Sequence, residues 1–268
     1  MTVRKWLAAA ALAAGTALGV GESAGAAEPA KPVYGFGTLK AMPAADAKVK
    51  VEAWLKASNK FDQAKFEAVW SNESRSALDR TVDSILLGLP EATAILSDAR
   101  TPGTPAPTEL PAALKDTKDP FVKANLAAAY AKALTGRKVY EEALDALKGI
   151  QPEQLVDPAG FYFHKAVAEH ALIQREAAVG SLARLLDDVP DAPDRYRIVA
   201  TLMFFDLQNW AKDEKDLSNI TRLMDNSGRR LELARGGPKT QDIQKKIVFR
   251  LDEKIKELEA QRKNSGGS

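Results

Sequence analysis

No cysteine occurs among the 268 residues of the chain, and its absence excludes several kinds of chemistry together. Disulfides, thiolate nucleophiles, lipid-modified cysteines and cysteine-ligated metal or iron–sulfur sites all require the missing thiol. Histidine is nearly as scarce, because the chain has only 2. A histidine metal cage or a histidine general base therefore has little to draw on, and we predict no metal and no cofactor.

Neither sign of charge dominates the sequence. The 38 Lys and Arg residues nearly balance the 36 Asp and Glu residues, which leaves a formal net charge of +2. Such a small excess does not demand a nucleic acid or an anionic membrane as a partner. Hydrophobic residues make up 45% of the chain, as in ordinary globular proteins, and the length allows one or two domains. We expect a globular protein that does not bind nucleic acid.

The N-terminal segment has the features of a secretory signal peptide. A short basic start precedes an Ala- and Leu-rich run from Trp6 to Val20, and Ala24 and Ala26 supply the small residues that signal peptidase requires. An uncleaved membrane anchor is the alternative, but the run is shorter than the ~20 residues that span a bilayer. Residues 1–27 are therefore predicted to be a cleaved signal, with an exported product, periplasmic or extracellular, that has no integral membrane segment.

Helical spacing of apolar residues recurs along the rest of the chain, and no alternating strand pattern interrupts it. The predicted fold class is all-α. Residues 28–43, with three prolines and two glycines, are expected to form an extended lead-in, and residues 44–100 a set of N-terminal helices. Residues 101–111 contain four prolines and are predicted to be a linker and an internal domain boundary.

Capping residues mark where two of the N-terminal helices are expected to begin and end. Ser71 or Asn72 is the expected cap of a helix that runs to Leu87, where Gly88 would end it. Pro90 fits the first turn of the next helix.

Residues 112–210 have the order of stacked helical hairpins. A helix of small residues around Asn125–Tyr130 is followed by a polar turn and a helix that contains Ala143 and Leu144, and a second copy follows 38 residues later at Leu182. The last helix, Tyr196–Trp210, is apolar nearly all round, which predicts burial on more than one side. A concave surface for a protein or peptide partner is expected, with three candidate binding residues: Asn125, Lys132 and Tyr162.

Residues 211–263 are predicted to fold as a coiled-coil-like antiparallel hairpin, because two amphipathic helices meet at Gly236-Gly237-Pro238. The two stripes bury each other only partly, so the hairpin is expected to contact the repeat domain or another chain, and self-association through it is a candidate further contact. Basic residues cluster around the bend and are candidate partner-binding residues: Arg229, Arg230 and Arg235. The alternative is a solvated coiled-coil surface. Residues 264–268 are expected to be disordered.

These segments together resemble a known group of proteins. They read TELPAALKD, NLAAAYAKAL, VYEEALDALK, QLVDPAGFYFHKAVAEHAL, ARLLDDVPDAPDRYR and LELARGGPKTQDIQKKIVFRLDEKIKELE. In these stretches the chain is similar to exported bacterial helical-repeat proteins of the tetratricopeptide-like kind. The resemblance implies an architecture and a location, and no activity.

Two groups of polar residues suggest chemistry, and both have a simpler explanation. His164 and His170, with Glu169 between them, are six residues apart, which places them about 120° apart on a helix rather than on one face. An acidic cluster around two prolines could hold Ca²⁺ or supply a carboxylate pair, or it could cap the next helix: Asp187, Asp188, Asp191 and Asp194.

The absence of catalytic parts favours a non-enzymatic interaction or scaffold protein of the cell envelope that binds a protein or peptide through helical repeats. The alternative is a secreted hydrolase or polysaccharide-processing factor that uses Asp187, Asp188 or Glu169. That alternative requires two carboxylates to converge on one cleft.

Overall fold

The computed structural model describes residues 37–265, and over this range the chain is helical without a β-strand. The all-α prediction is therefore confirmed. The predicted signal peptide at residues 1–27 and the last three residues lie outside the described range. The helices are α1 (Ala44–Ala57), α2 (Gln63–Trp70), α3 (Ala77–Gly88), α4 (Glu91–Arg100), α5 (Ala112–Asp116), α6 (Pro120–Gly136), α7 (Tyr140–Leu147), α8 (Pro158–Ala171), α9 (Arg175–Ala183), α10 (Asp194–Gln208), α11 (Leu217–Glu232) and α12 (Pro238–Ser265).

Side-chain caps explain where several helices begin. Asp119 accepts a hydrogen bond from the Val122 backbone N–H at 2.9 Å at the start of α6, which satisfies one of the free donors of the first turn. Ser76 caps α3 in the same way, so the expected cap at Ser71 or Asn72 is wrong. Those two residues belong instead to the turn between α2 and α3.

The end of α3 depends on a glycine, as the sequence predicts. Gly88 is its last residue, and a β-carbon there would lie 2.5 Å from the Trp54 ring. Because α1 approaches α3 this closely, a larger residue at Gly88 would push the two helices apart. Pro90 then directly precedes α4.

One hydrophobic core runs from Leu39 to Trp210. Sequence analysis places a domain boundary at residues 101–111, and this segment is indeed a non-helical loop. The helices on its two sides nevertheless share the core, because α3 and α4 both pack against α6. The loop therefore connects two parts of one packed unit.

Helices α6 to α9 form two consecutive hairpins that end in the same kind of turn. The Val139 N–H donates to the Leu134 carbonyl at 2.9 Å, and the Gln174 N–H donates to the Glu169 carbonyl at 2.8 Å. The residue before each donor, Lys138 or Ile173, has a positive φ of about 60° (60 and 62). This is the left-handed closure that usually carries glycine. Helix α8 packs on α6 and α7, and α10 packs on α8 and α9.

The outer side of α10 is exposed, so the predicted burial on more than one side is wrong. Ile198, Leu202 and Phe205 are 61%, 64% and 56% exposed. The opposite side of the helix, with Tyr196 and Leu207, is buried against α8 and α9. The apolar pattern correctly predicts a helix, but no described element covers its second face.

The C-terminal pair α11 and α12 folds back as the predicted antiparallel hairpin. Arg230 Nε donates to Thr240 Oγ1 at 2.8 Å near the bend, and Lys215 Nζ lies 4.0 Å from Glu253 Oε1 at the open end. Helix α12 continues to Ser265, so residues 264 and 265 are helical rather than disordered.

The described part of the lead-in, residues 37–43 up to the start of α1, contains neither helix nor strand. Its backbone is held by the body, because the Leu39 N–H donates to the Asp188 carbonyl at 2.9 Å and the Met42 N–H to the Val156 carbonyl at 3.0 Å. Among the described helices, none combines the length and the apolar character needed to cross a bilayer.

We expect Lys138→Gly to raise the free energy of unfolding by about 0.5–1 kcal/mol, because glycine adopts the left-handed conformation without the steric cost that lysine carries. Lys123→Gly, in the second turn of α6, is the matched control and is expected to lower stability by about 1 kcal/mol. Urea unfolding monitored by circular dichroism measures both. A loss of stability in Lys138→Gly similar to that of the control would contradict this explanation of the turn.

Candidate functional site

Three arginines of the C-terminal hairpin meet two glutamates of α7 in a buried ion cluster. Arg229 holds Glu141 with two hydrogen bonds of 2.9 Å, one to each carboxylate oxygen, and Arg230 also donates to Glu141. Arg235 holds Glu142 at 3.0 and 2.9 Å. Paired geometry of this kind fixes both distance and orientation. The cluster therefore sets the position of the hairpin on the body.

Backbone oxygens complete the cluster. Arg229 donates to the Lys138 carbonyl at 2.9 Å, and Arg235 donates to the Pro107 carbonyl at 2.7 Å. The left-handed turn at Lys138 thus presents its carbonyl to the hairpin, and the Pro-rich loop contributes Pro107. Both loops become part of the docking site.

The electrostatics of Glu141 show how strong these contacts are. Burial by itself raises the pKa of this carboxyl, but the hydrogen bond and charge of Arg229, with the charge of Arg230, outweigh burial and lower the pKa to about 2. Glu141 is therefore ionised throughout the neutral and mildly acidic range.

The predicted partner-binding role of the three arginines requires exposure, and the structure contradicts that for two of them. Arg229 and Arg230 are buried, and Arg235 is largely covered. Their positive charge is used within the chain, on Glu141 and Glu142. The basic cluster is consequently an internal contact rather than an open anionic-ligand surface.

The three residues predicted to line a binding groove also differ in their exposure. Asn125 is fully buried and bridges the chain, because its side-chain oxygen accepts from the Val156 N–H at 2.8 Å and its amide donates to the Gln154 carbonyl at 3.0 Å. Tyr162 is also buried, and burial raises the pKa of its hydroxyl to about 12. The expectation that these two side chains are exposed is wrong. Lys132 is half-buried and lines a cleft of about 340 Å³ with Arg100.

A second cleft, of about 250 Å³, lies where α11 passes the turns of the two hairpins. Its centre is a set of stacked and bonded side chains. Arg222 lies over the Trp210 ring at 4.3 Å, and His170 Nε2 and Trp210 Nε1 both bond Asp206 Oδ2 at 2.8 Å. Because these polar groups already satisfy one another, they serve first to fix the loop between α10 and α11.

The acidic residues around Pro190 and Pro193 make contacts within the chain. Asp191 Oδ2 accepts from the Ala41 N–H at 3.0 Å, and Asp188 is buried with Arg184 Nε at 2.5 Å from its Oδ2. The Asp187 carbonyl accepts from the Gly37 N–H at 3.0 Å. Holding the lead-in explains Asp187 and Asp191, and the contact with Arg184 explains the buried Asp188.

Glu169 is buried on α8, and burial raises the pKa of its carboxyl against the opposing contacts of Ser181 and Lys165. Its Oε1 lies 3.8 Å from Lys165 Nζ. Over residues 37–265, three or more His, Asp or Glu side chains do not gather anywhere in a way that would hold a metal ion.

His164 sits apart from His170 and is half-buried, and neither of its two inaccessible ring nitrogens has a hydrogen-bond partner among the described residues. Its ring packs edge-on against Phe163 and Tyr196. Burial lowers the pKa of His164 to about 4, and the positive charges of Lys132 and Arg195 act in the same direction. The imidazole is therefore neutral at pH 7 and behaves as a packing residue.

Sequence analysis missed Glu141 and Glu142 as functional contacts. Both stand in the first turn of α7, where acidic residues are common because they favour the helix dipole. The sequence therefore offers no reason to assign these two glutamates a contact with a distant segment. No protein family, curated protein or solved structure matches the chain.

We expect Glu141→Gln to destabilise the docked hairpin by about 3 kcal/mol, because it leaves buried arginine charge without its carboxylate. Hydrogen exchange in α11, together with urea unfolding, measures this loss. Glu109→Gln, which breaks the exposed pair between Lys115 and Glu109, is the control and should change stability by less than about 0.5 kcal/mol. Equal effects of the two variants would show that the buried cluster does not hold the hairpin.

The same carboxyl gives a pH signature. Its folded pKa of about 2 lies below the ordinary value of 4.5, so its stabilising contribution is complete above pH 4.5 and is lost as the pH falls towards 2. Glu141→Gln should lack this loss.

His164 predicts a separate loss of stability at milder acidity. Its folded pKa of about 4 lies below the ordinary 6.5, so the unfolded chain binds the extra proton between these values, and stability falls as the pH drops through this window. We expect His164→Phe to remove about 2–3 kcal/mol of the stability difference between pH 7 and pH 4.5. Urea unfolding at both pH values measures it.

His164→Gln should also abolish this pH dependence, although its unpartnered amide should lower stability at every pH. A wild-type pH dependence in both variants would mean that His164 is not the titrating group.

Proposed function

We propose that this chain is a non-enzymatic interaction protein of the cell envelope, whose helical hairpins, arranged in the manner of tetratricopeptide repeats, present the outer face of α10 to a protein partner. The observation that carries the proposal is the row of exposed apolar side chains on α10. Ile198, Leu202 and Phe205 follow one another at helical spacing on the side away from α8 and α9.

An apolar face of this kind is unusual at the end of a stack of hairpins. Terminal units of such stacks normally have a polar outer side, because nothing in the chain covers them. Val199 is also exposed beside Leu202, which widens the patch. A contiguous exposed apolar surface on a globular protein is the common mark of a protein-binding site.

The partner expected from this surface is a protein that supplies an apolar helix face or strand. The sequence from Ile198 to Phe205 contains no charged residue, so the main contribution to binding would be burial of apolar area. Arg195 lies three residues before Ile198 and Arg197 directly before it, and both would contribute to the polar rim.

The hydrolase alternative has less support. It requires two carboxylates that converge on one cleft, whereas Asp188 is buried against Arg184 and Glu169 is buried beside Lys165. These contacts support structural roles for both carboxylates. The location in the envelope rests on the signal-like sequence of residues 1–27.

The test is affinity capture from an envelope extract with three forms of the purified protein. We expect the wild type to retain a specific partner and Ile198→Glu/Leu202→Glu to retain at least about 10-fold less, because two charges would be buried at the contact. The matched control, Gln63→Glu/Thr93→Glu, adds the same charge at exposed positions on α2 and α4, away from α10, and should retain the partner.

All three forms should give the same circular dichroism spectrum, because every substituted side chain is exposed. Retention of the same partner by wild type and by Ile198→Glu/Leu202→Glu would refute the proposal, as would the absence of any specific partner for the wild type.

A further inference from the structure

The C-terminal hairpin has a second exposed apolar surface that α10 does not share. On α11 the exposed large apolar residues recur every seven positions, at Leu217, Met224 and Leu231. On α12 the exposed apolar residues include Val248, Ile255 and Leu258. Seven-residue spacing is the repeat of a helix-to-helix packing seam.

The two rows lie on the same side of the hairpin. On α11, Leu217 and Met224 are three residues before and four residues after Ile220, which is buried. On α12, Val248 and Ile255 have the same offsets from the half-buried Leu251. In an antiparallel pair, equal offsets from the contact positions place side chains on one side. The hairpin therefore presents one continuous apolar face, which we name the hairpin face.

The hairpin face is open because α11 turns a different side to the body. Arg222, Asn226 and Arg229 repeat every three to four residues along that side and contact the cleft at Trp210 and the Glu141 cluster. Of the described helices, α11 is the one on which α12 mainly packs. Its last turns, from Leu258 to Ser265, extend past the start of α11, since Glu253 already reaches Lys215.

The charge pattern of α12 is complementary to itself in the reversed direction. From Lys239 to Arg250, four basic residues accompany one acidic residue, whereas from Asp252 to Glu259, four acidic residues accompany two basic ones. An antiparallel second copy of α12 brings the basic half of each helix beside the acidic half of the other. Opposite charges at the edges of a seam select partner and orientation.

We propose that the hairpin face closes against the same face of a second copy of this chain, so that the two hairpins form an antiparallel four-helix assembly with α12 beside α12. Setting Val248 against Ile255 of the second copy also brings Lys245 next to Glu259 of the second copy. Both charged residues are exposed. Burying the face satisfies the apolar rows and supports the last turns of α12, which an isolated helix of that length would hold only weakly.

The first test measures the mass of the purified protein by sedimentation velocity over concentrations from about 1 to 100 μM. We expect a dimer in the wild type, and an association weaker by about 100-fold or more in Val248→Glu/Ile255→Glu. The variant Ile198→Glu/Leu202→Glu on α10 is the matched control and should dimerise as the wild type does.

These variants separate this proposal from the proposed function. If Ile198→Glu/Leu202→Glu loses the envelope partner but still dimerises, partner binding depends on α10 and not on the dimer. If Val248→Glu/Ile255→Glu loses the dimer but retains the partner, the dimer depends on the hairpin face and not on the partner site. A wild type that stays monomeric at the highest concentration overturns the proposal, as does a Val248→Glu/Ile255→Glu variant that dimerises like the wild type.

A charge exchange tests the antiparallel arrangement without touching the apolar rows. Lys245→Glu should weaken the dimer, because it sets two acidic residues against each other, and Lys245→Glu/Glu259→Lys should restore it to within about threefold of the wild type. Failure of the double exchange to restore the dimer overturns the α12-to-α12 arrangement.

Discussion

Two neighbouring glutamates in the first turn of α7 determine where the C-terminal hairpin sits. Glu141 and Glu142 receive Arg229, Arg230 and Arg235, and the same arginines also reach the Lys138 and Pro107 carbonyls. Buried ion pairs add little net stability compared with apolar packing, but they allow few alternative geometries, since a displaced partner leaves a charge unpaired. We infer that the cluster contributes mainly orientation. It holds the hairpin against α7 and the Pro-rich loop, with the outer side of α10 left open.

That placement links the two exposed surfaces of the protein. A hairpin laid across α10 would cover Ile198 and Leu202 with its own apolar rows, and neither surface would remain. Because the arginines are bound at α7, both apolar surfaces stay outside the core that runs from Leu39 to Trp210. The position of the hairpin at α7 is therefore compatible with the exposure of both surfaces.

The sequence predicts most of the local structure and little of what covers it. Proline, glycine and the apolar period mark helices well, as at Gly88 and at the bend before α12, because these signals act within a few residues. Whether an outer face is covered depends on distant segments. Asn125 has the polarity of a groove residue, yet it is buried because the Gln154 carbonyl and the Val156 N–H come to meet it. Arg229 looks like an open basic residue, although its partner Glu141 is 88 positions away.

The two surfaces also have a joint consequence if each binds as proposed. A dimer formed through the hairpin faces carries two copies of α10, and these belong to different helices from those that form the dimer contact. A partner with two apolar sites, or one fixed in a layer of the envelope, would meet both copies of α10 in turn. The second contact is then intramolecular, so its strength depends on geometry and effective concentration rather than on new interactions. Rigid attachment of each hairpin by the Glu141 cluster favours this, because a fixed spacing between the two faces restricts where the second contact can occur.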